Sequence, residues 1–223
     1  MSTTLKNARV RRVLDQLAAL GVREDAEYTS ALAIREAELD QKLYGIERAQ
    51  IGARAPLAIK PEVAASLYAL VIAAEPNLIV EFGASLGFST LYLASAMNDL
   101  GTGQVITSEL IPDKAKATER NLAAAGLAHV VEVRQGDAQI TFGDISATVD
   151  FVFLDGSNDL YLSILQLLEP KLAQGALVVA DLSFEDPQHV LYRAHVEDPQ
   201  NGYRTIEIPV DAGVLVSKRR NRK

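Results

Sequence analysis

The sequence predicts an α/β fold: a seven-stranded, mostly parallel sheet with helices on both faces and an antiparallel hairpin at the C-terminus. Three observations carry this. From residue 76 onward, short apolar runs alternate with stretches of helical length, the pattern of strand-helix units. Runs such as "VDFVFLD" and "GALVVAD" are apolar at nearly every position, as strands covered on both faces are. The chain then closes on two strand-like stretches with no helix between them.

The elements follow in order. Val10, Val13, Leu14 and Leu17, then Leu32, Leu39 and Leu43, recur at helical spacing among many charges as far as about Arg54, with Gly21 expected to break the run. These helices should cover a domain rather than build a core of their own. Pro61 opens the helix "PEVAASLYALVIAAE", which Pro76 closes. "NLIVEFG" reads as a strand, "FSTLYLASAM" as a helix, "GQVITSE" as a strand, "PDKAKATERNLAAAG" as a helix and "HVVEVRQGD" as a strand. "VDFVFLD", "LYLSILQLLEPKL" and "GALVVAD" continue as strand, helix and strand. A helical stretch around Pro187 to Val196 precedes "YRTIEIPV" and "GVLVSKR", with only Asp211 and Ala212 at their turn. The organisation is a helical segment over 1–56, one α/β domain over 57–219 and a basic tail over 220–223.

Composition excludes several classes. At 223 residues, with 48% hydrophobic and 23% charged content, the chain has material for one substantial core. The absence of cysteine removes disulfides, thiolate metal sites and thiol nucleophiles. A net charge of -7 argues against a nucleic-acid partner, and the basic "SKRRNRK" end reads as a solubilising tail. No apolar run approaches the roughly 20 residues of a membrane span, and the N-terminus lacks a signal-peptide core. The expectation is a soluble cytoplasmic protein with no membrane partner.

In open parallel sheets a ligand sits beyond the carboxyl ends of the strands. Here those ends read "VEFGASLGFS", "ITSE", "RQGDAQ" and "FLDG". Glu81 is followed by Gly83, Ala84, Ser85 and Gly87 ahead of a helix, so the backbone offers close approach and free amide donors. The spacing is G-x-x-x-G rather than the G-x-G-x-x-G of a dinucleotide turn, which favours a cofactor without phosphates. Glu109 suits ribose hydroxyls, and Asp137 an adenine amine. Each feature alone equally describes a packing glycine or a helix-capping acid; their succession on consecutive strands is what carries weight.

With "VEFGASLGFSTLYLA", "ITSELIPDKAKATERNLAAAGL", "RQGDA", "DFVFLDGSNDLYL" and "GALVVAD", the chain resembles the class I S-adenosylmethionine-dependent methyltransferases, in particular the catechol O-methyltransferase-like group, over roughly Leu57 to Arg219. The resemblance implies a Rossmann-like fold and S-adenosylmethionine as cofactor. Gly83, Ser85 and Ser89 would line its methionine part with Glu81 nearby, and Ile59 would lie over that end. Glu109 would hold the ribose, Asp137 and Ala138 would frame the adenine, and Asp155 would border the same site.

In that group an Asp ending the fourth strand and an Asp-Asn pair ending the fifth bind a divalent cation, and a lysine three residues after the first Asp takes the proton. Here Asp155 and Asp181 keep the aspartates, but Leu182 stands at the asparagine position and Asn158 at the lysine position. Ser157 replaces an aromatic wall, and Val214 or Leu215 stands where a glutamate is frequent. Three readings stay open: metal-independent transfer with Asp155 and Asn158 at the acceptor, with His189 or His195 assisting; a two-aspartate metal site completed by water and substrate; and cofactor binding without transfer. Leu182, an apolar neighbour for a cation, favours the first. A nicotinamide-dependent oxidoreductase is a remoter rival, because the Gly83 turn does not suit it.

The expected acceptor is a small molecule, methylated on oxygen, of specialised metabolism. The helices before Leu57, with Leu32, Leu39, Leu43 and Ile46 in an apolar stripe, would form a cap and, by the resemblance, a homodimer contact and acceptor wall to which Tyr44 and Arg48 belong.

Overall fold

The computed structural model describes residues 3–182 and 189–220. Its sheet runs β3-β2-β1-β4-β5-β7-β6, from β1 (Leu78–Phe82), β2 (Gln104–Glu109), β3 (Val131–Gln135), β4 (Val149–Leu154), β5 (Leu172–Asp181), β6 (Tyr203–Ile208) and β7 (Val214–Arg219). The first five strands pair in parallel, and β7 inserts antiparallel between β5 and β6. The expected α/β architecture is therefore the observed one. Strand order reverses between β1 and β4, which opens a crevice at their carboxyl ends.

Alternation along β1 sorts the two faces. Ile79 joins the core beneath α3 (Pro61–Ala74), α4 (Phe88–Leu100) and α5 (Pro112–Ala125). Leu78, Val80 and Phe82 join the opposite core with α6 (Ala138–Thr141), α7 (Tyr161–Leu168) and α8 (Val190–Glu197). Of the stretch expected to be helical from Pro187, residues 187 and 188 lie outside the described ones. Among the described residues no helix is long and apolar enough to cross a membrane.

Two expectations are corrected. Gly21 does not end the first helix: α1 runs unbroken from Ala8 to Leu39. One glycine costs a helix only about 1 kcal/mol. The helix buries Val10, Val13 and Leu17, while Val22 and Ile34 beyond them are 82% and 60% exposed. α2 (Gly45–Ile51) follows. The β6–β7 connection is also longer than two residues. Strand pairing ends at Ile208 and Val214, leaving residues 209–213 as the loop, because Pro209 has no N–H for the ladder.

Candidate active site

A cavity of about 490 Å³ lies at the carboxyl ends of β1, β2, β4 and β5, beneath α1 and α2. Its floor is made by two interlocked strand exits. At Gly83 (φ +98°) a Cβ would stand 2.6 Å from the carbonyl oxygen of Asp155, and at Gly156 one would stand 2.4 Å from the Phe82 ring. Glycine at both positions lets the β1 and β4 chains touch, and Asp155 N–H donates to the Phe82 carbonyl at 2.9 Å.

The turn after β1 is fixed from α5. Ser85 adopts φ +47° without being glycine. Its N–H donates to Glu109 Oε2 at 2.8 Å, and its carbonyl accepts from Thr118 Oγ1 at 2.8 Å. Its hydroxyl donates to the Pro56 carbonyl. Asn121 donates to the Leu86 carbonyl at 2.9 Å, so one face of α5 clamps the turn. Glu109 Oε1 also accepts from Ile111 N–H at 2.8 Å. Burial raises the Glu109 pKa above the ordinary range, opposed by those amides and by Lys114.

Ile59, Gly83, Ser85, Ser89, Glu109, Ala138, Asp155 and Asn158 all reach the cavity wall, as do Ser157, Asp181 and Leu182. Glu81 does not. It is wholly buried behind the wall and accepts from Ser89 Oγ and Thr90 Oγ1, each at 2.6 Å, with its pKa raised by burial. It points to α4, the face its strand parity dictates, and holds Ser89 in place. Asp137 is exposed and caps α6 by accepting from Gln139 N–H at 2.8 Å, so the residues at the wall there are Gly136 and Ala138. Val214 and Leu215 are buried in the sheet beside Asp181 and Ala180.

The two candidate histidines, His189 and His195, lie away from the wall. His195 turns to Glu169, 2.9 Å away in the short turn that precedes β5 and thus at the far end of the sheet, and His189 does not line the cavity. Arg48 lines it and donates from Nε to Tyr28 Oη at 3.0 Å, whereas Tyr44 is not among its lining residues.

Several wall residues were missed in the sequence. Asp25 and Tyr28 arrive because α1 continues past Gly21, and Asp25 Oδ1 accepts from Leu57 N–H at 2.9 Å. Lys114, only 5% exposed, donates to Ser85 Oγ at 3.1 Å. A cation in the first turn of the "PDKAKATERN" helix runs against the helix dipole and was the available clue.

At the β4 and β5 exits, Asp155 is half-buried and its pKa lies well above the aspartate range, through desolvation first and then the charges of Asp181 and Glu81. Burial and then Asp211 push Asp181 up to about 7. Asp181 Oδ1 has no hydrogen-bond partner among the described residues. Such a pair wants a proton or a cation.

Comparison with known proteins agrees with this fold. A family described as a methyltransferase domain matches residues 80–181. The catechol O-methyltransferase of Mycobacterium tuberculosis is 32% identical over 155 residues, spanning 66% of this chain and 70% of that protein. The chain belongs to the class I S-adenosylmethionine-dependent O-methyltransferases. Another relative of this methyltransferase, the catechol O-methyltransferase of Niastella koreensis, is 26% identical over 164 residues, 72% of this chain and 73% of that one. In fold, the methyltransferase superposes on the Bacillus cereus O-methyltransferase solved with SAH, with a TM-score of 0.67 over 96% and 92% of the two chains at 19% identity.

Proposed function

We propose that this methyltransferase methylates a hydroxyl of a small acceptor without a divalent cation, and that the Asp155–Asp181 pair receives the acceptor's proton. The observation that carries this is the pair itself: two carboxylates facing one cavity, with Asp181 held near neutrality. A base whose pKa matches the working pH is the efficient one. Asn158, on the same wall, is a polar group available to orient the acceptor.

The cofactor supplies an electrophilic methyl group on a sulfonium. In this reading Gly83, Ser85, Ser89 and Ile59 surround its methionine end, Glu109 takes the ribose hydroxyls and Ala138, flanked by Asp137, borders the adenine. What supports this is the cradle at Gly83, where a side chain has no room, and a buried acid at the end of β2. Glu81 acts through Ser89 rather than by contact. The exposed apolar residues Val22, Ile34 and Ile46 on α1 and α2 support a homodimer contact through that segment. Ser157, Asn158 and Leu182 support an acceptor of specialised metabolism other than a plain catechol.

One observation favours a second reading. The partnerless Asp181 Oδ1, beside Asp155, suits a hard divalent cation held by two carboxylates. Against it, the neighbouring Leu182 supplies no ligand, and no group of three acidic or histidine side chains fit for a metal occurs among the described residues. Titrating magnesium into protein saturated with S-adenosylhomocysteine decides between them. Absence of binding is the expected result; saturable binding that Asp155→Ala abolishes would establish the cation.

A further inference from the structure

Lys114 sits where local physics disfavours it. It is the third residue of α5, at the positive end of the helix dipole, and it is 5% exposed. Burial lowers its pKa. Its hydrogen bond goes to a neutral group, the Ser85 hydroxyl at 3.1 Å, and among the described residues it forms no salt bridge. Glu109 and Asp25 act on it electrostatically, but Glu109 gives its oxygens to the amides of Ser85 and Ile111, and Asp25 Oδ1 accepts from that of Leu57.

An ammonium carries three donors, and Ser85 accepts one. The remaining donors belong to a side chain on the cavity wall. Its stem is fixed, because Lys114, Thr118 and Asn121 form one face of α5 and all three bond the turn at residues 85 and 86. The charged groups of the wall are thus Asp155 and Asp181 at the β4 and β5 exits, Arg48 on α2, and Lys114 on α5 with Glu109 and Asp25 acting on it; of these acids Glu109 and Asp25 already accept from backbone amides.

We propose that Lys114 recognises the carboxylate of the cofactor's amino-acid end and so sets the preference for the complete cofactor over adenosyl thioethers that lack this end. The inference rests on the placement of the cofactor in this cavity. That carboxylate is the cofactor's one anionic group. The sulfonium and the ammonium are cations, which Lys114 repels and the Asp155–Asp181 end attracts. A charge-assisted hydrogen bond made in a buried site also accounts for keeping a lysine there.

The test is calorimetric titration of S-adenosylhomocysteine and of 5′-methylthioadenosine, which lacks the amino-acid end, into the wild type, Lys114→Met and Lys114→Arg. The expected result is that Lys114→Met weakens S-adenosylhomocysteine about 10- to 100-fold, leaves methylthioadenosine within about twofold, and that Lys114→Arg restores much of the loss. Because the methionine variant removes a cation, a loss confined to the larger ligand assigns the carboxylate rather than the ammonium. Equal weakening of both ligands would make Lys114 a prop for the Ser85 turn and overturn the proposal, as would no weakening of either. If the wild type bound neither ligand, the cofactor placement itself would fall.

Discussion

Asp155, immediately after β4, and Asp181, the last residue of β5, bring two carboxyl groups from neighbouring parallel strands to one cavity, and burial holds both above the ordinary aspartate range. Ionising either one is therefore unfavourable in the folded protein. The relationship links proton transfer to stability, and the two are separable by pH.

An aspartate raised to about 7 binds its proton more tightly folded than unfolded. Its contribution is most favourable below the unfolded value, near 4, and is lost as pH rises toward and through about 7. An asparagine in its place would never ionise. Asp181→Asn in metal-free buffer is therefore expected to raise the Tm at pH 8 by several degrees, on the order of 2–4 °C per kcal/mol, with the gain shrinking at pH 5. The same variant should lose about 100-fold or more in kcat, and wild-type activity should rise through pH 7. A variant that is less stable at pH 8 would show that ionised Asp181 is stabilised by a partner.

Gly83→Ala puts a methyl group 2.6 Å from the Asp155 carbonyl at a φ of +98°. Gly101, the C-cap of α4, has φ +74° with nothing within 4 Å of the added carbon. Gly101→Ala should cost only the left-handed backbone penalty, about 1–2 kcal/mol, and leave ligand binding intact. Gly83→Ala should destabilise further and abolish measurable S-adenosylhomocysteine binding. Equal behaviour of the two in thermal melts and titrations would remove the close approach of β1 and β4 as the reason for glycine.

The sheet was legible because strand burial on both faces writes a continuous apolar run, and the order of strand-end acids marked the crevice. What escaped the sequence did so for physical reasons. Glu81 looks like a rim acid, but strand parity turns it inward to Ser89 and Thr90. Gly21 looks like a helix end, yet its cost is smaller than the gain from the turns on either side. That expectation hid Asp25 and Tyr28, since their place at the cavity depends on α1 being one rod of roughly 48 Å. Lys114 was hidden because a lysine on a charged helix ordinarily faces water; its place against the helix dipole was a faint clue, and the packing of α5 on the turn at Ser85 gives it meaning.

Asp25 should govern how firmly the segment before α3 closes over the cavity. Its carboxylate accepts from the N–H of Leu57, a residue held at φ +46°, while the Ser85 hydroxyl holds the adjacent Pro56 carbonyl. Removing one such hydrogen bond is worth about 1 kcal/mol, or roughly a fivefold change in a rate. Asp25→Ala is expected to speed S-adenosylhomocysteine dissociation by about that factor in stopped-flow measurements, and Asp25→Asn, which keeps an acceptor, to change it little. Unchanged dissociation in the alanine variant would mean that this segment does not gate the ligand.

Leu182 is the residue whose replacement should create what the cavity lacks. It directly follows Asp181, is 5% exposed and lines the cavity. Its apolar side chain supplies no oxygen to a cation that the two aspartates would otherwise attract. Leu182→Asn adds a carbonyl ligand on a side chain with the same branching at Cγ, a hard donor suited to magnesium. Without metal the variant should melt lower than the wild type, because a buried amide without a full set of partners costs on the order of 1–3 kcal/mol. With magnesium it should recover, since a ligand at 100 times its Kd stabilises by about 2.7 kcal/mol. The expected result is a magnesium-dependent rise in Tm for Leu182→Asn that the wild type does not show and that Asp155→Ala removes from the double variant. The same rise in the wild type would mean that Leu182 never excluded the cation, and the metal-free reading of Asp155 and Asp181 would be lost with it.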